Sequence, residues 1–276
     1  MAETAQRERQ VSSRDGTVIA FDRSGRGPAV VVVASALSDR SDAAKLAGRL
    51  SERFTVINYD RRGRGRSGDT KPYAVEREIE DLAALIEAAG GSASVFGSSS
   101  GAVLALRAAA SGVPMRSLAV FEPPFRVEPS GALPEDFAHA LEGLVSSGRR
   151  GKAVSLFMSR EVGVPRPFLL LMRLMPGLWR KLEAMAHTLP YDYAVMGRTT
   201  AGQPLDREEW AAVTLPTLVI NGGKSPARMR NAAVALADVL PHSRLHTLEN
   251  QRHSAVVTAS KPLVDVLTDF FDTERA

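Results

Sequence analysis

A serine at the centre of a Gly-x-Ser-x-Gly pattern is the residue of this sequence best suited to chemistry. An apolar stretch leads into Gly-Ser-Ser-Ser-Gly at residues 97–101, and an alanine-rich helical stretch follows. This pattern is typical of a nucleophile elbow, a sharp strand-to-helix turn that lifts its central serine, here Ser99, out of a sheet. Backbone N–H groups at the start of the helix could then stabilise an oxyanion. The alternative is a Ser/Gly turn without chemistry.

The glycines of the pattern support the first interpretation. A side chain at Gly97 or Gly101 would collide with the packed strand and helix. Ser99 also needs a neighbouring base, because a free serine hydroxyl is barely ionised at neutral pH. The sequence has five histidines. Four of them are expected in helices, turns or strands without a catalytic role: His139, His187, His242 and His246.

The composition is that of a globular chain without cysteine. Its 276 residues are 44% hydrophobic, which suits one large α/β domain with an insertion or two modest domains. The absence of cysteine excludes disulfides and thiolate metal sites. The net charge of +4 comes almost wholly from arginine, and no basic run is interleaved with aromatic residues. We therefore expect no nucleic-acid partner.

No segment suggests export or a membrane. Residues 1–10 are polar and charged, without the apolar segment of a signal peptide. No apolar run approaches the roughly 18 residues of a membrane span. We expect a soluble, cytoplasmic protein, a monomer or homodimer, which binds a small-molecule substrate and no membrane.

Strands alternate with helices over most of the chain, which predicts a parallel sheet with right-handed crossovers. A hairpin is expected at residues 11–13 and 17–22, with Asp15-Gly16 as its turn. The other predicted strands are 29–34, 54–59, 94–96, 117–121, 217–220 and 244–248. The predicted helices are 41–53, 76–89, 100–111, 226–240 and 262–271.

The alternation lapses between residues 129 and 207, where the sequence is helical, punctuated by proline and rich in Met, Leu and aromatic residues. We expect a helical cap at 129–207, inserted over the carboxyl edge of a core formed by 1–128 and 208–276. Methionines and aromatics around a cleft suit a bulky, mainly apolar substrate. The candidate substrate contacts are Leu37, Trp179, Tyr193 and Met158. We see no metal-ligand spacing, dinucleotide fingerprint or phosphate loop, so no metal or cofactor is expected.

Residues 60–67, Asp-Arg-Arg-Gly-Arg-Gly-Arg-Ser, resemble the D-x-R-G-x-G-x-S segment of α/β-hydrolases and precede the elbow, as that fold requires. With the late His253 and the helical insertion, the resemblance covers nearly the whole chain. It implies an α/β-hydrolase fold: a mostly parallel sheet flanked by helices, with the cap inserted after the strand ending at Glu122. The segment itself is interpreted as a solvated structural turn; the alternative is that its basic side chains attract an anionic substrate.

A second resemblance is narrower. The elbow followed by Phe-Glu-Pro at 121–123 resembles zearalenone-type lactone hydrolases, which also have a serine after the nucleophile and an acid at the end of the following strand. In the α/β-hydrolase fold, the loop after the last apolar strand delivers the general base. His253 lies in that loop and is the candidate base for Ser99.

The third triad member is ambiguous. The superfamily commonly has an Asp after the strand at 217–220, where this chain has Asn221. An amide cannot balance the imidazolium that forms when histidine takes the serine proton. Glu122 is the candidate acid, because some α/β-hydrolases take their acid from that strand end and a Glu can reach the same histidine. The other interpretations are a carboxylate elsewhere and a degenerate site.

The oxyanion hole needs two N–H donors. The resemblance places one on Ser100, directly after the nucleophile, and the other in the loop after the strand at 29–34. Ala36 is the candidate there, with Ser35 or Leu37 as alternatives.

Together these residues predict a serine hydrolase that cleaves an ester or lactone through an acyl-enzyme. A cofactor-free lyase or acyltransferase could use the same serine and histidine. A ligand-binding protein with a decayed triad is the third interpretation.

Overall fold

One mixed sheet organises the molecule. The computed structural model describes residues 7–274 and, within them, eight strands in the order β1-β2-β4-β3-β5-β6-β7-β8. The strands are β1 (Arg7–Ser12), β2 (Val18–Ser24), β3 (Ala29–Val33), β4 (Thr55–Tyr59), β5 (Ala93–Ser98), β6 (Met115–Phe121), β7 (Thr217–Gly222) and β8 (Ser243–Leu248). β1 and β2 pair antiparallel, as do β2 and β4, and the remaining pairs are parallel. The predicted mostly parallel sheet is confirmed.

Helices cover both faces of this sheet. The α-helices among the described residues are α1 (Ala44–Leu50), α2 (Val75–Ala88), α3 (Ser100–Ala110), α4 (Phe137–Ser146), α5 (Arg150–Phe157), α6 (Arg166–Arg173), α7 (Pro176–Met185), α8 (Leu189–Met196), α9 (Arg207–Trp210), α10 (Ala227–Val239), α11 (Ala255–Thr258) and α12 (Lys261–Thr273). Buried side chains of α2, α3 and α10 pack on one face, and those of α1 and α12 pack on the other. The all-apolar β3 lies between the two layers, as expected of a central parallel strand.

The local predictions are accurate except at element ends. The hairpin turn forms around Gly16, whose φ of +82° favours glycine. The helix expected at 41–53 forms only over 44–50, and before its start the Asp39 carboxylate accepts a hydrogen bond from the Ser41 backbone N–H at 2.8 Å. Such side-chain bonds compete with the first helical turn. The expectation about a signal peptide falls on residues 1–10, of which 1–6 lie outside the described residues.

A helical block lies between β6 and β7 and carries its own buried cluster. Side chains of α4, α5 and α7 form this cluster, together with Leu37 from the loop after β3. At the other end of the block, Val195 and Met196 of α8 join the core that contains α3. The block is therefore attached both to the loop after β3 and to the helix that follows Ser99. No helix within residues 7–274 is long and apolar enough to cross a membrane.

Candidate active site

Ser99 occupies the turn between β5 and α3. Its φ of 53° and ψ of −127° lie outside the strand and helix regions, and it is the N-cap residue of α3. A Cβ on Gly97 would lie 2.5 Å from the Gly101 carbonyl oxygen, and one on Gly101 would lie 2.5 Å from the Ala34 carbonyl oxygen. Both glycines are therefore required by close backbone approach, which is the physical reason for the Gly-x-Ser-x-Gly pattern.

Glu122 and His253 lie in direct contact. His253 Nδ1 is 2.6 Å from Glu122 Oε2, and the Gly222 backbone N–H donates to Glu122 Oε1 at 2.8 Å. Glu122 is fully buried, whereas the His253 side chain is 40% exposed. The imidazole also stacks on the Phe121 ring, with centroids 6.0 Å apart. Both oxygens of the Glu122 carboxylate therefore have a partner. The contact holds His253 through Nδ1 and leaves Nε2 outside it.

Asn221 stands where the superfamily commonly has its acid, and its side chain does not bond to the histidine as that of Glu122 does. Asn221 is only 2% exposed, and its Oδ1 has no hydrogen-bond partner among the described residues. The next residue, Gly222, allows the loop of the histidine to approach, because a Cβ there would lie 2.5 Å from the Gln251 carbonyl oxygen. The end of β7 therefore supplies backbone contacts to the site.

Ser99 and His253 line one cavity of about 460 Å³. Seven of the residues singled out from the sequence line it: Ser35, Ala36, Leu37, Ser99, Ser100, Met158 and His253. Apolar side chains from the helical block and from α10 complete much of the wall: Phe157, Leu182, Met196 and Met229. The cavity thus combines a serine, a histidine bonded to a buried carboxylate, and a largely apolar lining.

Trp179 and Tyr193 lie in the packing of the helical block and not on this wall. Trp179 is 8% exposed, and its indole N–H donates to Glu183 at 2.9 Å. The Tyr193 ring packs against Phe137, with centroids 5.6 Å apart. Neither residue lines the cavity that contains Ser99 and His253, and their contact with substrate stays a prediction.

The sequence interpretation missed the start of α10. The cavity is lined there by Ser225, Pro226, Arg228 and Met229, for which the sequence pattern gives no functional role. From the other side, Glu161 and Val162 line it at the end of a π-helical turn, Met158–Val162. The position of the α10 segment in the sequence could have indicated this, because residues that follow parallel strands meet at the carboxyl edge of the sheet, where ligands bind.

Three arginines of the segment at 60–67 are buried although Arg66 is exposed, which corrects the interpretation of the segment as a solvated turn. Arg61, Arg62 and Arg64 are at most 1% exposed. Arg61 pairs with Glu78 at 2.7 Å, and Arg62 pairs with Asp81 at 2.7 Å. These carboxylates come from α2, so the burial of the guanidiniums depends on partners distant in sequence.

Backbone strain concentrates at the same place. Among residues 7–274, four non-glycine residues have positive φ, and three of them are Leu37 (52°), Ser99 (53°) and Glu122 (47°). Such conformations cost roughly 1–3 kcal/mol each and cluster at functional sites. Here the three residues line the cavity or bond to its histidine.

The chain matches known hydrolases over most of its length. Residues 30–266 match the alpha/beta hydrolase family, and the chain therefore belongs to that family and is an enzyme of that class. The uncharacterized hydrolase YraK of Bacillus subtilis (strain 168) is 36% identical over 95 residues, which are 33% of this chain and 35% of that protein. This match thus spans about a third of the curated relative.

Solved structures agree with this assignment. An α/β hydrolase from Sphaerobacter thermophilus DSM 20745 is 55% identical, with a TM-score of 0.87 over 95% of this chain and 100% of that one. An esterase from Thermogutta terrifontis is 18% identical, with a TM-score of 0.72 over 98% and 100% of the two chains. An enol-lactonase from Burkholderia xenovorans LB400 is 20% identical, with a TM-score of 0.72 over 95% and 99%. The last two show the shared fold alone.

Proposed function

We propose that this enzyme is a serine hydrolase that cleaves an ester or lactone of a mainly apolar small molecule through an acyl-enzyme. One observation carries the proposal. The buried Glu122 carboxylate bonds to His253 at 2.6 Å, and His253 and Ser99 line the same cavity. A serine at an elbow, a histidine and a buried acid are the three parts that nucleophilic acyl transfer needs.

In this proposal Ser99 Oγ attacks the substrate carbonyl while His253 Nε2 takes the hydroxyl proton. Glu122 holds the imidazole through Nδ1 and balances the charge of the imidazolium. The imidazolium then gives its proton to the leaving alkoxide. The alcohol departs, and the acyl group remains on Ser99 as an ester. A water molecule, deprotonated by the same histidine, hydrolyses that ester and restores the serine.

The proposed oxyanion hole uses the backbone N–H groups of Ser100 and Ala36. Ser100 is the first residue of α3, where helical N–H groups lack intrahelical partners. Ala36 lies in the loop after β3, and both residues line the cavity. Donors aimed at the developing negative charge contribute typically 10²–10³-fold each to kcat, by order of magnitude.

The helical block at 129–207 is proposed as the cap that sets the substrate range. Phe157, Met158, Leu182 and Met196 bring adaptable apolar surface to the cavity. The motif resemblance to zearalenone-type lactone hydrolases adds lactones to the compounds to be tested beside open-chain esters.

The test is turnover of short and medium p-nitrophenyl esters and of simple lactones, followed by labelling with a fluorophosphonate. We expect ester hydrolysis, a burst of p-nitrophenol, and a covalent adduct that peptide mass mapping places on Ser99. Adduct formation without any turnover of esters or lactones would contradict hydrolysis. The absence of both would support a binding protein on a hydrolase scaffold.

A further inference from the structure

The wall of the cavity at the start of α10 carries positively charged side chains that form no salt bridge with a described carboxylate. Arg228 is half-buried there, and its Nη2 donates to the carbonyl oxygens of Glu161 and Val162 at 2.9 and 3.2 Å. Its Nε and Nη1 groups have no hydrogen-bond partner among residues 7–274. Lys224 and Arg252 line the same cavity, and neither forms an ion pair with a described carboxylate.

The carboxylates whose charges act on Arg228 already have partners, and neither forms a salt bridge with it. Glu161 Oε2 pairs with Arg126 at 3.0 Å, and both side chains are buried. Glu122, the other of the two, is bonded to His253 at 2.6 Å. Burial, and after it the charge of Arg126, lowers the pKa of Arg228. A partly buried charge without a salt-bridge partner costs free energy, and a bound anion would offset this cost.

The cavity's other acidic group is neutralised as well. Asp42 pairs with Lys181 at 2.8 Å. With Glu161 and Asp42 paired, the wall has a net positive charge, carried by Arg228, Lys224 and Arg252. Lys224 and Arg252 are exposed, so solvent and salt screen their charges more than that of the half-buried Arg228.

We propose that the substrate carries a carboxylate, separate from the scissile carbonyl, and that Arg228 binds it. This inference rests on the proposed hydrolase function. Guanidinium–carboxylate hydrogen bonds are among the strongest in proteins, and an arginine already fixed by backbone carbonyls loses little freedom on binding. The apolar body of the substrate would lie against Leu182, Met196 and Met229.

The test compares matched esters that differ only in charge. One pair is the mono-p-nitrophenyl ester of glutaric acid and p-nitrophenyl pentanoate; the other is 3-carboxy-4-nitrophenyl butanoate and 4-nitrophenyl butanoate. We expect kcat/KM to be higher for the anion in at least one pair at low salt, and this preference to weaken at high ionic strength. Arg228→Gln should reduce the ratio of anionic to neutral kcat/KM about tenfold or more.

Arg207→Gln is the matched control, because it removes the same charge from an exposed residue outside the cavity. It should leave the ratio as it is in the parent enzyme. A preference for the neutral ester in both pairs, or a ratio insensitive to Arg228→Gln, would overturn the inference while leaving hydrolase activity intact. No turnover of any of the four esters would contradict the proposed function itself.

A second inference rests on a different observation, a fully buried carboxylate in the helical block. Asp192 Oδ1 accepts hydrogen bonds from Ser100 Oγ and Arg61 Nη1, both at 2.8 Å, and Oδ2 accepts from Arg64 Nη2 at 2.7 Å. Burial alone would raise the pKa of Asp192, but the guanidiniums of Arg64 and Arg61 outweigh it and hold the pKa below its ordinary value. The group is therefore an ionised acceptor at neutral pH.

The same arginines hold the loop on the other side of the proposed oxyanion hole. Arg64 Nη1 donates to the Ser35 carbonyl oxygen at 2.6 Å. Arg61 Nη1 also lies 3.4 Å from the Ala34 carbonyl oxygen and 3.2 Å from Ser100 Oγ. One carboxylate from the helical block thus connects the residue after Ser99 with the loop after β3.

From these contacts we infer that Asp192 is a positioning residue that sets the spacing of the two oxyanion donors, Ser100 and Ala36. This inference also rests on the proposed function. Misplacing a donor costs transition-state binding more than substrate binding, because the donors address the charge that develops during reaction.

Asp192→Asn should therefore lower kcat about 10- to 100-fold, with a smaller change in KM. The affinity for phenylboronic acid, which forms a tetrahedral adduct on serine, should fall by a similar factor. Asp81→Asn is the control, because it breaks an equally buried pair with Arg62 (2.7 Å) that contacts neither donor segment. Both variants should lose thermal stability, but Asp81→Asn should keep kcat and boronate affinity.

Equal effects of the two variants on boronate affinity would overturn the inference. Ser100→Ala gives a second comparison if Asp192→Asn does not fold, because it removes one contact of Asp192 and leaves both guanidiniums paired. Its expected loss is about 2- to 10-fold in kcat and boronate affinity, the scale of one hydrogen bond. An unchanged kcat and boronate affinity in Ser100→Ala would likewise contradict the inference.

Discussion

The ends of β6 and β7 lie side by side at the carboxyl edge of the sheet and contribute differently to the site. The two strands are parallel neighbours, with Phe121 opposite Ile220. β6 leads directly into Glu122, whose carboxylate is bonded to His253. β7 ends in an uncharged pair, Asn221 and Gly222, of which the glycine donates its backbone N–H to Glu122.

The difference shows that charge and support can come from adjacent strands. Neighbouring strands are only about 4.8 Å apart, so a carboxyl group on either end can reach one imidazole. In this chain the carboxylate is on the first strand, and the second strand holds it in place. The glycine after Asn221 also admits the Gln251 carbonyl oxygen, which a Cβ would meet at 2.5 Å.

The largest effect on kcat is expected from the proposed nucleophile, Ser99, which the residues of both strand ends are proposed to serve. Ser99→Ala should reduce kcat by about 10⁴–10⁶ without loss of the fold, because triad residues act as a unit. Steady-state kinetics on one p-nitrophenyl ester measure this. Adding Glu122→Gln to Ser99→Ala should cause no further loss; a further loss of tenfold or more would show that the two residues serve separate steps.

A smaller effect is expected from the supporting strand end. Gly222→Ala places a Cβ against the backbone of the loop that carries His253, and displacing a catalytic group by about 1 Å can cost 10²-fold in rate. We expect kcat to fall about 10- to 100-fold. Gly48→Ala on α1 is the control, since nothing lies within 4 Å of its Cβ position. An active Gly222→Ala enzyme would show that the loop does not depend on this contact.

The smallest effect on rate is expected from adding a charge to the second strand end. Asn221→Asp puts a second buried carboxylate near Glu122, so we expect lower thermal stability, by about 1–3 kcal/mol, and a few-fold change in kcat. In a Glu122→Gln background the same change should restore part of the lost activity. Thermal melts and kinetics of the three variants test this; no recovery in the double variant would show that an acid at 221 cannot reach His253.

Much of the fold was predictable because its signals are local. The all-apolar β3 and the glycine turn of the hairpin depend on a few neighbouring residues, and so does the elbow at 97–101. The start of α1 was misplaced, because the side-chain hydrogen bond that Asp39 accepts from the Ser41 backbone N–H competes with a helical turn there.

The site was predictable only in part. Ser99, Glu122 and His253 each follow a strand, so their sequence positions bring them to one edge of the sheet. The buried state of Arg61 was not predictable, because its partner Asp192 lies 131 residues away. The inward packing of Trp179 likewise depends on helices whose arrangement the sequence pattern does not specify.

The most direct test of the central claim, that Glu122 is the acid of this site, is the kcat/KM of Glu122→Gln and Asn221→Ala measured on one ester under the same conditions. The account predicts a loss of about 10²–10⁴ for Glu122→Gln, the scale seen when a triad acid becomes an amide, because the imidazolium loses its counter-charge. It predicts no more than about a threefold change for Asn221→Ala, whose side-chain oxygen has no described partner to lose. An active Glu122→Gln beside an inactive Asn221→Ala would contradict it.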